Sequence, residues 1–227
     1  MLKFYYNLAP NPMKVALFLE EAGLPYEPIP VDTRKGEQHD PAFTALNPNS
    51  KLPVIVDGGD TVFDSNAILL FLAEKTGRFL PTDRAGTLSW LMFVATGIGP
   101  YSGQSVHFRH FAPAPKDYAV TRYLFEAKRH WSILDARLAD REWTVGNEYS
   151  IVDMAVWGWA RLIPYVLGSS HADESVWRGF PHLKRLLDTI AARPAATRVL
   201  ALKDRHTFKT EMDDDARRAM FRHTASS

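Results

Sequence analysis

Residues 47–77 read NPNSKLPVIVDGGDTVFDSNAILLFLAEKTG, and this stretch decides the fold. Val54-Ile55-Val56 is a short apolar, β-branched run of the kind found in buried strands. Pro53 stands at its mouth, although proline has no N–H to give a sheet ladder. Gly58 and Gly59 then break the chain before a second short run, Thr61-Val62-Phe63, which is a tight hairpin signal. Residues 65–77 follow as a helix, with Asp64 or Ser65 as its N-cap and Gly77 past its end.

Working outward, LKFYY (2–6) reads as a strand. PMKVALFLEEAGL (12–24) carries Val15, Leu19 and Ala22 on one stripe, the pattern of an amphipathic helix, and Gly23 is its stop. YEPIPV (26–31) reads as a second strand whose prolines indicate a sheet edge, and PAFTAL (41–46) as a short helix. The order β-α-β-α-β-β-α over residues 1–80 is an α/β unit. Residues 81–86, Pro-Thr-Asp-Arg-Ala-Gly, read as a linker, and 87–227 as an all-helical domain. Within it, Ser150-x-x-Asp153 is a capping-box pattern with aspartate in place of Glu or Gln, and FPHLKRLLDTIAARPA (180–195) is a further helix. The last 25 residues are charged and fit either a short helix or a frayed tail.

Composition narrows the function classes. The 227 residues are 46% hydrophobic and 23% charged, with a formal net charge of +1, which is ordinary for a soluble globular protein. That balance offers no basic field for nucleic acid or an anionic membrane. No apolar run reaches the roughly 18 residues that span a bilayer. The first ten residues, MLKFYYNLAP, lack the apolar core of a signal peptide, so a cytoplasmic location is expected. There is no cysteine, which excludes disulfides, thiolate metal sites and a cysteine nucleophile in this chain. If sulfur takes part in the chemistry, it arrives with a ligand. No metal site is expected: the His107/His110 pair lacks a nearby carboxylate partner, and zinc usually takes three or four ligands.

The succession NPNSKLPVIVD, DSNAILLFLAEKTG, YSIVDMAVW and FPHLKRLLDTIAARPA, in that order, resembles the cytosolic glutathione transferases over nearly the whole chain. Residues 9–27 (APNPMKVALFLEEAGLPYE), 35–38 (KGEQ) and 99–108 (GPYSGQSVHF) resemble the bacterial Nu class, relatives of the yeast nitrogen regulator that has a transferase fold. The resemblance implies a thioredoxin-like α/β N-terminal domain plus an all-α C-terminal domain, usually as a homodimer. It also implies glutathione as co-substrate without a metal, and reduction of a small disulfide or peroxide by the bound thiolate. Conjugation to an electrophile, thioether or aryl-ether cleavage, and non-catalytic regulation on the same fold stay open beside it.

Residue by residue, the resemblance implies a cis peptide before Pro53, with the Leu52 backbone turned out to pair with an extended tripeptide. Ser65 would take the γ-glutamyl carboxylate at a helix N-terminus and Asp64 its ammonium. Lys51, Gln38 and Asn49 would serve the glycyl end. A free thiol has a pKa near 8.5, and lowering it by about two units takes about 2.7 kcal/mol of selective anion stabilisation. Asn11 is the first candidate donor and Tyr5 the second, because the class pattern Thr-Pro-Asn is Ala9-Pro10-Asn11 here and the threonine hydroxyl is missing. Asn11 as a plain helix cap and Tyr5 as core stay open as alternatives. Gly97, Gly99 and Pro100 would bend a long helix. Beyond the bend, Tyr101, Gln104, Ser105 and Phe108 share one face, and Tyr101, Gln104, Phe108 and Arg109 would line the second-substrate pocket.

Overall fold

A computed structural model describes residues 1–113 and 116–222. By its contacts the chain divides into two compact units: residues 1–72 with the chain from Pro194 onward, and Ala73–Arg193. The sequence pattern groups residues 87–227 as one helical domain. The segment from Pro194 instead joins the sheet unit, through contacts too distant in sequence for any local pattern to announce.

In the first unit, β1 (Leu2–Tyr6), β2 (Tyr26–Pro30), β3 (Val54–Asp57) and β4 (Asp60–Phe63) form one sheet in the order β2-β1-β3-β4. β1 runs parallel to β2 and antiparallel to β3, and β3 is antiparallel to β4. The proline-bearing β2 lies at an edge, where missing N–H groups cost no ladder bond. The hairpin turns at Gly58, whose φ of 65° suits glycine. Phe4, Tyr6 and Ile55 are buried on one face of the sheet, and Val15–Leu19 of α1 (Pro10–Ala22) and Ile68, Leu69 and Leu72 of α3 (Ser65–Thr76) are buried as well. α2 (Pro41–Leu46) contributes Phe43 to a smaller cluster with Val31 and Val54, against which Tyr5, Leu46 and Leu52 pack.

The second unit is helical. α4 (Arg84–Phe93) opens two residues before the expected linker end at Gly86, because Asp83 caps it by accepting from the Gly86 N–H at 2.8 Å. The expected bend is a π-helical turn, Val94–Ile98, that joins α4 to α5 (Gly99–His110). Gly97 is needed there, since a Cβ would strike the His130 imidazole of α6 (Asp117–Arg137). α7 (Ile151–Ala160) is buried along its whole length and carries the expected capping box. Ser150 accepts from Val152 N–H at 3.2 Å, and Asp153 accepts from the N–H groups of Ser150 (3.0 Å) and Thr144 (2.8 Å). α8 (Ile163–Val166) and α9 (Pro181–Ala191) complete this unit.

Back in the first unit, α10 (Pro194–Leu200) returns to α1, where Arg198 Nε meets Glu20 Oε2 at 2.6 Å. The charged C-terminal stretch, open in sequence, contains α11 (Asp214–Met220), capped by Asp213, which accepts from Ala216 N–H at 2.8 Å.

Candidate functional site

The loop ahead of β3 is built by Asn47, a residue to which the sequence reading gave no role. Its side chain is buried, donates to the Lys51 carbonyl at 2.7 Å and accepts from the Asn49 N–H at 3.0 Å. Ser50 takes a left-handed φ of 53° to close the loop. This leaves Asn49 and Lys51 exposed, and Leu52 half-buried beside a cis Leu52–Pro53 peptide.

One loop further on, Asp64 is the cap of α3. Its Oδ1 accepts from the N–H groups of Asn66 at 2.9 Å and Ala67 at 3.2 Å. Its φ is 68°, a left-handed conformation that aspartate tolerates at a cost of order 1–3 kcal/mol. Ser65 follows as the first helical residue and is 4% exposed. Asp64 thus takes two of the first-turn N–H groups of α3 itself, at the end where the helix dipole favours negative charge.

α1 begins without a side-chain cap. Asn7 Oδ1 takes the Ala9 N–H at 3.0 Å, and Pro10 and Pro12 have none, so Asn11 is the only one of the first three helical residues that carries an N–H. Asn11 therefore sits in the first turn rather than at the cap, with both an amide side chain and a backbone donor. Tyr5 packs its ring at 6.0 Å from Phe43, as part of the cluster under α2. Between the 7–9 loop, residues 32–34 and the returning C-terminal segment lies a cavity of about 330 Å³, walled by Ala9, Thr33, Phe208 and Met220 among others.

Gln38 differs from the expectation that it serves the glycyl end. It is 4% exposed and donates to the Ala219 carbonyl of α11 at 3.1 Å, with His39 Nε2 3.0 Å from the same oxygen. The C-terminal segment occupies this side chain, so the loop-lysine neighbourhood and Gln38 do not form one open site. The sequence could not reveal that contact, because its partners are 181 residues apart.

The α5 residues lie in the second unit and divide among neighbours. Tyr101 stacks on His130 at 4.7 Å and Phe108 on Tyr123 at 5.2 Å, both on α6. Ser105, expected on the same face, donates instead to the Val166 carbonyl of α8 at 2.7 Å. Arg109 turns toward Gly168, away from Tyr101 and Phe108, while Gln104 is exposed.

The family model described as the glutathione S-transferase N-terminal domain matches residues 9–75, and that for the C-terminal domain matches 95–194. The chain belongs to the glutathione S-transferase family. Among curated relatives, the disulfide-bond oxidoreductase YfcG of Escherichia coli is 41% identical over 210 residues, covering 88% of this chain and 94% of YfcG. The disulfide-bond oxidoreductase YghU of the same organism is 38% identical, covering 87% of this chain and 73% of YghU. A Burkholderia graminis glutathione transferase, solved with two glutathione molecules bound per subunit, is 38% identical with a TM-score of 0.79, over 90% of this chain and 89% of that one. Within the transferase fold these relatives place the chain beside the Nu-type branch, with its thioredoxin-like sheet unit and helical unit.

Proposed function

We propose that this transferase is a glutathione-dependent disulfide reductase that uses the thiolate of bound glutathione as its nucleophile. The observation that carries the reading is the start of α1, where Asn11 stands between Pro10 and Pro12 as the one backbone N–H of the three, in a protein without cysteine. A protein of this composition can bind, orient and activate an incoming thiol, but cannot provide one. The disulfide-bond oxidoreductases at 41% and 38% identity support the reaction class. A Pseudomonas putida relative, 37% identical, is described with one glutathione disulfide bound per subunit.

In this reading Ser65 and the α3 N-terminus take the γ-glutamyl carboxylate, Asp64 takes the ammonium, the Leu52 backbone pairs with the cysteinyl residue, and Lys51 and Asn49 serve the glycyl end. Asn11 donates to the sulfur, where this donor and the helix dipole favour the anion. The thiolate attacks one sulfur of the substrate disulfide, forming a mixed disulfide and expelling the other sulfur as a thiolate. A second glutathione thiolate then attacks the mixed disulfide, releasing glutathione disulfide and the second product thiolate. The same nucleophile can attack a peroxide, giving an alcohol and a sulfenic acid that a second glutathione converts to disulfide and water. Tyr101, Gln104 and Phe108 are the proposed contacts of the second substrate.

NADPH consumption, coupled through glutathione reductase with hydroxyethyl disulfide as substrate, tests this. We expect steady turnover in the wild type and a drop of about 10-fold in kcat at neutral pH for Asn11→Ala, because a thiol pKa higher by about one unit leaves about tenfold less thiolate. Absence of wild-type turnover would remove the reductase reading. Full activity in the variant would pass the donor role to another group.

A further inference from the structure

Lys14 lies in the middle of the apolar face of α1 and is 1% exposed. Its Nζ donates to Asn66 Oδ1 at 3.0 Å, and Asn66 is itself 2% exposed. The backbone N–H of Asn66 in turn donates to Asp64 Oδ1 at 2.9 Å. A chain of contacts therefore runs from the core of α1 to the left-handed turn that opens α3.

Such a placement is costly. An ammonium stripped of water loses several kcal/mol unless it is paired and hydrogen-bonded, and an unbranched apolar side chain would fill the same space without that loss. The positive end of the α3 dipole adds to the cost, since it favours anions. Burial accordingly lowers the Lys14 pKa to about 7, and Asp64 opposes this. Asp64 is the only ionisable group, on α1, α3 or any element packed against them, with a resolved effect on Lys14 among the described residues. Its exposed carboxylate is already shared with two backbone amides. The local structure thus holds a poorly compensated cation directly beneath the turn proposed to seat the ligand's carboxylate.

Resting on the glutathione reading above, we propose that Lys14 is a positioning residue of the glutathione site, which holds the Asp64–Ser65 turn through Asn66 and lends its charge to the γ-glutamyl carboxylate. A ligand anion at Ser65 supplies the missing compensation, so ligand binding and protonation of Lys14 favour each other. The sign follows. Protonated Lys14 binds the anion more tightly, so affinity is greatest below pH 7 and falls as pH rises through about 7. Ligand binding near that pH takes up a fraction of a proton from the buffer.

The test uses S-methylglutathione, which has no titrating thiol, with calorimetric titration of the full chain between pH 5.8 and 8.0. That window lies above the range in which carboxylates ordinarily titrate. The wild type is expected to lose about 3- to 10-fold in affinity across it, and to take up on the order of 0.4 proton near pH 7 when buffers of different ionisation enthalpy are compared. Lys14→Met is expected to bind with the weaker affinity at every pH and without that proton uptake. In turnover, it is expected to raise KM for glutathione while kcat changes little. The proton-uptake measurement needs no variant, so it stands even if Lys14→Met folds poorly. A wild type that binds S-methylglutathione with flat affinity and no proton uptake would overturn the role of Lys14 and leave the glutathione reading intact. Unchanged pH dependence in a folded Lys14→Met would do the same. A wild type that does not bind S-methylglutathione at all would take both readings down.

Discussion

Asp64 caps α3 and, in the proposed reading, also holds the ligand's ammonium, and substitutions can separate the two. It caps α3 through two hydrogen bonds and holds a φ of 68°. Alanine loses the cap and tolerates that backbone badly, so Asp64→Ala is expected to cost about 1–2 kcal/mol in urea denaturation. Asparagine keeps a capping oxygen and accepts left-handed geometry well. Asp64→Asn should therefore unfold within about 0.5 kcal/mol of the wild type, yet raise KM for glutathione several-fold, because a neutral amide holds an ammonium less well. Equal glutathione KM values for Asp64→Asn and the wild type would confine Asp64 to capping. The position was legible in sequence because an N-cap needs only a short polar residue before an apolar run. Lys14 was not legible: a lysine within PMKVALFLEE looks like any surface lysine until the partner helix is placed.

At the scale of elements, local rules carried most of the fold. The hairpin at Gly58, the helix stop at Gly23 and the Ser150/Asp153 box each depend on residues a few positions apart, and each forms as its pattern implies. The α5 face was read only in part, because spacing tells which residues share a side but not which neighbour each one meets. The α7 box also yields a pH prediction. Burial raises the Asp153 pKa from 3.8 to about 6, against the pull of donors from Thr144 and Ser150. The folded state then holds its proton more tightly than the unfolded chain. Between about pH 4 and 6 the unfolded chain releases this proton first, so the contribution of Asp153 is complete below pH 4 and is lost as pH rises through 6. Relative to Asp153→Asn, the wild type should lose about 2 kcal/mol of unfolding free energy from pH 4 to pH 6.5, measured by urea titration of both proteins. A constant difference across that range would mean that Asp153 is ionised throughout.

At the scale of the whole molecule, the feature least legible in sequence is the return of the C-terminal segment to the sheet unit. Tyr6 OH lies 2.8 Å from His206 Nδ1, Asp32 Oδ2 accepts from the Lys209 N–H at 2.7 Å, and Arg34 donates to the Lys209 and Thr210 carbonyls at 2.8 Å. These bonds join residues at opposite ends of the chain, so composition alone could show only a charged tail. They also explain why Gln38 is closed off, since α11 is held over it. Ending the chain after Arg205 removes all of them while keeping α10 and its Arg198–Glu20 pair. Each such bond is worth roughly 0.5–1.5 kcal/mol, with more for those to a charged group, and Tyr6 and Asp32 would lose buried partners. The truncated protein is expected to fold with about 2–4 kcal/mol less stability. Amide exchange should quicken at residues 31–39, where the segment had covered the backbone. If Gln38 also serves the glycyl end once uncovered, the truncated protein should bind S-methylglutathione more tightly than the full chain, and Gln38→Ala should weaken binding only in the truncated form. Equal effects of Gln38→Ala in both forms would show that the segment does not govern access to this side chain.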